Sequence, residues 1–98
     1  MEVIEEDEHR LAQFCQAFSN ALRVKLVLLL RGGEECVKEL AEKVDREQSV
    51  VSRHLRKLVA RGLLRSKARG RKNFYRIKRT DLVEELLELV SLLRRDNE

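Results

Sequence analysis

Two short amphipathic segments follow each other in the middle of the chain with almost nothing between them. The first, residues 37–44, repeats apolar residues at three- and four-residue steps, which is the period of a helix with one buried stripe. The second, residues 47–61, has the same period and stops before Gly62, which can take the left-handed conformation that ends helices. Only Asp45 and Arg46 separate the two segments, so the pattern predicts a helix-turn-helix.

Two further helices are predicted before this pair, and a hairpin is predicted after it. Apolar residues recur at helical spacing over residues 3–18 and again over 20–31. After the pair, the strand-like segments 63–67 and 73–78 flank a turn that contains Gly70. A hairpin in this position is the wing of a winged helix-turn-helix.

A last helix is predicted over residues 81–95, where Asp81 and Glu84 have the spacing of a capping box. Its apolar surface is larger than one small core can cover, so we expect a second chain to cover the rest. The order of elements is four helices, two strands and a fifth helix. We therefore expect one domain spanning residues 1–98, with a mainly α fold and a small β-hairpin wing.

Charge is divided unevenly along the chain. Residues 48–80 contain twelve Lys and Arg and no Asp or Glu, whereas the rest of the chain contains nine basic and all seventeen acidic residues. A charge run is usually a solvated surface, but twelve positive charges without one acid repel each other and favour a polyanion. The sequence therefore predicts a basic surface for nucleic acid on an acidic body.

Several other function classes lack support in the sequence. No apolar run reaches the roughly 18 residues of a membrane span, and the start of the chain is acidic, unlike a secretory signal. We expect a cytoplasmic protein that does not associate with membranes. No Ser/His/Asp arrangement, phosphate-binding glycine loop or pair of catalytic carboxylates is recognisable, so we expect neither enzymatic activity nor a cofactor.

The first turns of the helix predicted over residues 47–61 suit a DNA major groove. Glutamine can pair with adenine, serine can donate or accept, arginine can reach guanine, and valine can pack on a thymine methyl. The residues expected to read bases are Gln48, Ser49, Val50, Ser52 and Arg53. Residues farther along the helix and in the wing, about 67–73, suit phosphates or a minor groove. These are His54, Arg56, Lys57, Lys67, Arg69, Arg71 and Lys72, of which His54 is either a DNA contact or a structural hydrogen bonder.

Several motifs are found together here: Phe-Ser-Asn-Ala-Leu-Arg from residue 18, Glu-Leu-Ala-Glu-Lys-Val from 39, Gln-Ser-Val-Val-Ser-Arg-His-Leu-Arg-Lys-Leu from 48, Arg-Gly-Leu-Leu from 61, and Gly-Arg-Lys-Asn-Phe-Tyr-Arg-Ile from 70. In these motifs the chain resembles the ArsR/SmtB family of bacterial and archaeal repressors. The resemblance implies a homodimer, joined through its first and last helices, that binds an inverted-repeat operator in double-stranded DNA. The residues expected at that interface are Leu11, Phe14, Leu82, Leu86, Leu89, Val90 and Leu93.

The metal-sensing positions known in that family are not intact in this sequence. Members that sense thiophilic metals have Cys-Val-Cys where this chain has Cys36, Val37 and Lys38, and lysine does not replace a soft thiolate ligand. Zinc sensors of the family use Asp and His pairs on the last helix, whereas residues 81–95 contain no histidine. We therefore predict no metal site.

The sequence leaves two alternatives open. Cys15 and Cys36 could form a redox switch, although Cys15 lies on an apolar stripe typical of a buried cysteine. Cys36 is the better candidate for a reactive thiol, since it lies near a predicted helix N-terminus. The other alternative is an architectural or assembly module that binds DNA or protein without operator specificity. Small polar residues at positions 48, 49 and 52 favour base readout over this second alternative.

Overall fold

The computed structural model describes residues 2, 4 and 6–96 and contains five helices and three strands in that part of the chain. They are α1 (Asp7–Ala17), α2 (Ala21–Leu30), β1 (Glu35–Cys36), α3 (Val37–Val44), α4 (Gln48–Ala60), β2 (Leu64–Arg69), β3 (Lys72–Ile77) and α5 (Thr80–Arg95). The mainly α winged helix-turn-helix is confirmed. The predicted start of the first helix at residue 3 lies outside the described residues.

The sheet is antiparallel, with strand order β1-β3-β2, and contains a strand that the sequence did not predict. In β1, Glu35 lies opposite Tyr75 and Cys36 opposite Phe74. Two residues are too short for an alternating pattern, and a glutamate is a poor signal for a buried strand. Glu35 is nevertheless buried, because its carboxylate forms an ion pair with Lys43 of α3. This ion pair ties α3 to the sheet.

A core rich in leucine and valine holds α2, α3, α4 and the sheet together. Its largest fully buried side chains are Leu26, Val27, Leu40, Val51, Leu55, Leu58, Leu63 and Leu64. Each such side chain contributes about 1.5–3 kcal/mol by leaving water. Helix α1 contributes Ala17 and the half-buried Phe14, with Phe18 at its C-cap, whereas α5 contributes the buried Val83 and Leu86 and the half-buried Leu82. The helix-turn-helix is therefore central and the terminal helices are peripheral.

The tight turn between α3 and α4 is made by Asp45, whose φ of 53° lies in the left-handed region. The Asp45 N–H donates to the Glu42 carbonyl (3.3 Å), and the Arg46 N–H donates to the Ala41 carbonyl (3.1 Å). This pair of hydrogen bonds is the Schellman motif, which satisfies carbonyls that the end of a helix leaves unpaired. Aspartate tolerates this conformation better than most residues other than glycine, so the chain can turn here within a few residues.

The start of α5 differs from the predicted capping box. The helix begins at Thr80, and Arg79, at its N-cap, makes no side-chain capping bond. The Asp81 carboxylate instead accepts hydrogen bonds from Arg79 Nε (2.9 Å) and Nη2 (2.7 Å). This hydrogen bonding with Arg79 lowers the pKa of Asp81 to about 2. The capping-box prediction is wrong because the arginine two residues earlier competes successfully for the carboxylate.

The predicted role of Gly62 at the end of α4 is confirmed, since its φ is +75°. We expect Gly62→Ala to lower the free energy of unfolding by about 1 kcal/mol, because an L side chain is strained in this region. A Cβ at residue 62 would meet nothing within 4 Å, so the loss would be conformational. Urea denaturation measures it. The matched control is Gly32→Ala, where φ is not positive; an equal loss there would contradict the argument.

Candidate nucleic-acid interface

Helix α4 divides its residues between the core and solvent. Val51, Leu55 and Leu58 are fully buried, and this inward stripe leaves the opposite side of the helix open. The predicted base-reading residues lie on or beside that open side: Gln48, Ser49 and Arg53 are exposed, and Val50 and Ser52 are half-buried. Arg56 and Lys57, farther along, are also exposed. The first turns of α4 therefore present short polar side chains, followed by basic ones.

A cleft of about 400 Å³ lies between the start of α4 and the wing. It is lined by three of the predicted base-reading residues and by two of the predicted wing residues: Gln48, Ser49, Ser52, Arg71 and Lys72. The structure thus brings together two groups that are 19 to 24 residues apart in the sequence. Lys38, which the sequence analysis did not select, also lines the cleft, together with Asn73. None of the described residues that line it is acidic, so the cleft can hold an anion while offering donors to base edges.

The wing is a two-residue hairpin closed by Arg69 opposite Lys72. Gly70 is the first residue of the turn and has a φ of 61°, which suits glycine at that position. Lys67, Arg71 and Lys72 are exposed, as a phosphate contact requires.

Arg69, another predicted phosphate contact, already has partners within the chain. Its Nη2 lies 3.0 Å from Glu34 Oε1, and its guanidinium lies 5.0 Å from the centre of the Phe74 ring. Sequence reasoning missed this pairing because Glu34 is 35 residues away and has no pattern that relates it to the wing. Contact between Arg69 and a phosphate would have to compete with Glu34.

His54 is buried in α4, with 9% of its surface exposed, and its Nδ1 lies 3.1 Å from Arg23 Nη1. Arg23 also donates to the carbonyls of Ala17 (Nε, 2.7 Å) and Gln16 (Nη2, 3.2 Å) at the end of α1. Burial, and then the charge of Arg23, lower the pKa of His54 below its ordinary value of 6.5. Of the two roles left open by the sequence, the structural hydrogen bond fits this geometry. A ring held in this way is not available to a DNA phosphate.

Comparison with known proteins agrees with this geometry. Residues 20–66 match the sequence pattern of a protein family that is described as "Bacterial regulatory protein, arsR family". The HTH-type transcriptional regulator MJ1325 of Methanocaldococcus jannaschii, described as uncharacterized, is 30% identical over 90% of this chain and 99% of its own length. The chain belongs to the ArsR family. The predicted winged helix-turn-helix fold and the resemblance to this family are thereby confirmed.

Two further relatives of this ArsR-family protein are described as repressors. The HTH-type transcriptional repressor SmtB of Mycobacterium tuberculosis is 32% identical over 81% of this chain. The chain spans only 58% of the length of that relative. The solved structure of the AntR antimony-specific transcriptional repressor superimposes with a TM-score of 0.85 at 28% identity, covering 99% of this chain and 87% of AntR.

The residues that the ArsR resemblance placed at a dimer interface fall into three groups. Leu11, Leu89 and Leu93 are exposed, together with Leu92, which the sequence analysis did not select. Phe14, Leu82 and Val90 are half-buried. Leu86 is 8% exposed and lies in the core of its own chain, so little of its surface is open to a partner. The apolar stripe of α5 is wider than the part that the core covers, and the assignment of these residues to an interface stays a prediction.

The two cysteines of this ArsR-family protein have burials opposite to those expected. Cys15 is exposed on α1, whereas Cys36 is buried in β1. Cys36 is therefore not the more accessible thiol, and Cys15 is not a buried small hydrophobe.

Among residues 2, 4 and 6–96, no three His, Cys, Asp or Glu side chains are grouped so as to hold a metal ion. The described helices also include none long and apolar enough to cross a membrane.

Proposed function

We propose that this protein is a homodimeric repressor that blocks transcription by occupying an inverted-repeat operator in double-stranded DNA. The observation that carries the proposal is the cleft between α4 and the wing, where Gln48, Ser49 and Ser52 meet Arg71 and Lys72 without an acidic side chain. Membership of the ArsR family and the likeness to SmtB and AntR, which are repressors, support it further.

In this proposal α3 braces against the DNA backbone, and the start of α4 enters a major groove about 12 Å wide. The short side chains of Ser49 and Ser52 permit a close approach to base edges. Gln48 and Arg53 have the length and donor geometry to pair with adenine and guanine. Arg56 and Lys57 of α4, together with Lys67, Arg71 and Lys72 of the wing, contact phosphates or an adjacent minor groove and keep the helix in register.

The competing candidate is an architectural module that binds duplex without operator specificity. It is favoured by the basic residues spread over the wing, which form no base-reading pattern. Selecting duplexes from a random pool separates the two. A repressor should enrich an inverted repeat whose half-sites are about one helical turn apart, roughly 34–36 Å. Equal affinity for a shuffled duplex at the same salt concentration would favour the architectural module.

Substitution of single contacts tests the assignment of roles. We expect Arg53→Ala to weaken binding to the selected duplex by about 1–3 kcal/mol and to relax the base preference at one position in each half-site. Lys72→Ala should weaken binding to every duplex nearly equally, and should reduce the slope of log affinity against log salt by about 0.9 per protomer. Fluorescence anisotropy measures both effects. If instead Lys72→Ala relaxed the base preference and Arg53→Ala weakened binding to every duplex equally, the roles assigned to these two residues would be reversed.

A further inference from the structure

One surface of the wing meets the cleft only at Lys72 and carries most of the basic residues of the hairpin. We call it the outer wing face, and its residues are Arg65, Lys67 and Arg69 of β2 with Lys72, Phe74 and Arg76 of β3. Alternate side chains of a strand lie on opposite sides of the sheet. The register places Leu64, Ser66, Ala68, Asn73, Tyr75 and Ile77 on the other side, where Leu64 and Tyr75 belong to the core. The outer wing face is therefore directed away from the core.

The pairing of charges on this face disfavours the hairpin itself. Arg65 lies directly opposite Arg76, and Arg69 lies directly opposite Lys72. Like charges at directly opposed positions of antiparallel strands destabilise a sheet. The other side of the same hairpin could have shared these charges, yet beyond the core it carries only Ser66, Ala68 and Asn73. A surface that concentrates repelling cations in this way is suited to a polyanion.

Among the described residues, one acidic side chain pairs with a base of this face. Glu34 pairs with Arg69, and none of the ion pairs within residues 6–96 involves Arg65, Lys67 or Arg76. These residues line a cleft of about 230 Å³ together with Glu34 and the half-buried ring of Phe74. The guanidinium of Arg69 lies over that ring and is held by Glu34, so part of the surface is ordered before any ligand arrives.

The spacing of the face suits the backbone of a duplex. Same-side residues two apart along a strand are separated by roughly 6.6–6.8 Å, so the three rows from Arg69 and Lys72 to Arg65 and Arg76 extend over roughly 13 Å. A duplex carries about one negative charge per 1.7 Å of its axis, so a length equal to these rows carries several phosphates. The face can therefore neutralise more than one phosphate at a time.

We propose that the outer wing face binds the sugar-phosphate backbone of the DNA that flanks each half-site, on the side of the wing away from α4. This inference rests on the proposed operator binding, which brings the wing tip to the duplex. The cleft that holds Gln48 and Lys72 lies on one side of the tip, and a duplex continuing past the tip meets the outer wing face. Because the rows lead away from the tip, the flank curves toward the protein to reach Arg65 and Arg76.

The test compares two lengths of the duplex selected by the unmodified protein. One is trimmed to the inverted repeat, and the other is extended on each side by one turn of mixed sequence, about 10 base pairs. The variant is R65T/R76T, because threonine suits strands and removes the opposed charges. The matched control is K25Q/R31Q, which removes two exposed charges at α2 and its C-cap. Anisotropy titrations between 50 and 200 mM salt give affinity and slope.

The unmodified protein and K25Q/R31Q should bind the extended duplex more tightly and with a steeper salt slope than the trimmed one. R65T/R76T should bind the trimmed duplex normally and lose most of the gain from the flanks, with a slope lower by about 2 per protomer. Its thermal midpoint should be no lower than that of the unmodified protein, and R65Q/R76Q provides a second variant if it is. The proposal would be overturned if the unmodified protein bound the trimmed and the extended duplex with equal affinity. It would also be overturned if R65T/R76T lost the same affinity for both duplexes.

Failure of the operator proposal would look different. In that case the random pool would yield no enriched sequence, and the comparison is made with mixed-sequence duplexes of the same two lengths. A lower salt slope for R65T/R76T on the longer duplex would then still support the outer wing face as a DNA surface. An unchanged slope would reject it.

Discussion

Replacing Leu89 and Leu93 by aspartate is expected to convert the proposed dimer into a folded monomer of 11.5 kDa. The two side chains are 53% and 64% exposed in the single chain and lie four residues apart on α5, so they share one face of the helix. A partner that covers this face would bury both, and a buried carboxylate without a partner costs several kcal/mol. Sedimentation equilibrium measures the mass, and circular dichroism checks that the helices remain.

The neighbouring Leu86 provides the contrast that makes this test specific. Since Leu86 is buried in its own chain, Leu86→Asp should unfold the protein rather than dissociate it, with a loss exceeding the 2–5 kcal/mol typical of Leu→Ala. Glu88→Asp, an exposed change on the same helix, should leave the mass at twice 11.5 kDa. A Leu89→Asp/Leu93→Asp variant that keeps the dimer mass would exclude α5 as the interface.

The helix-turn-helix was predictable because its information is local. The apolar period of α3 and α4, Asp45 in the turn and Gly62 at the end each depend on residues within one or two turns. Base-reading candidates followed from this, since the residues outside an inward stripe are known once the stripe is known. Gln48, Ser49 and Arg53 are exposed for that reason.

The features that the sequence did not predict depend on contacts between residues that are far apart in the chain. Glu34 and Arg69 are 35 residues apart, and Arg23 and His54 are 31 apart, so no periodicity connects them. The apolar residues of α5 form one broad stripe in the sequence, and only the packed core separates Leu86 from Leu89. Likewise, Cys36 is buried because β1 pairs with β3 opposite Phe74, and so short a strand has no pattern of its own.

Arg23→Met is expected to lower the free energy of unfolding by about 1.5–3 kcal/mol near pH 8, because hydrogen bonds from a charged donor are worth about this much. Arg23 donates to two carbonyls at the end of α1 and lies 3.1 Å from the Nδ1 of His54, so its loss removes a link between α1, α2 and α4. Methionine keeps much of the aliphatic stem. The matched control is Lys25→Met, on the same helix and exposed, which should change stability little.

The pH dependence distinguishes this network from simple packing. The pKa of His54 is lowered in the folded state, chiefly by burial and then by Arg23, so below pH 6.5 the unfolded chain binds a proton that the folded chain does not. The contribution of neutral His54 to the free energy of unfolding is therefore fully present above pH 6.5, and it falls as the pH decreases toward the lowered pKa. Protonation also removes the Nδ1 acceptor that faces Arg23. Without the charge of Arg23 the pKa of His54 should be less depressed, and acid should destabilise the variant less.

The difference in the free energy of unfolding between the unmodified protein and Arg23→Met should thus be largest above pH 7 and should narrow as the pH falls. A series of urea denaturation curves across this pH range measures it. A constant difference would mean that His54 is not the group that titrates, and no difference would mean that the link carries no stability. His54→Asn supplies the remaining check, because an amide oxygen can still accept from Arg23 but does not titrate. Since His54 follows Arg53 directly in α4, a link that holds His54 also positions the helix proposed to read DNA.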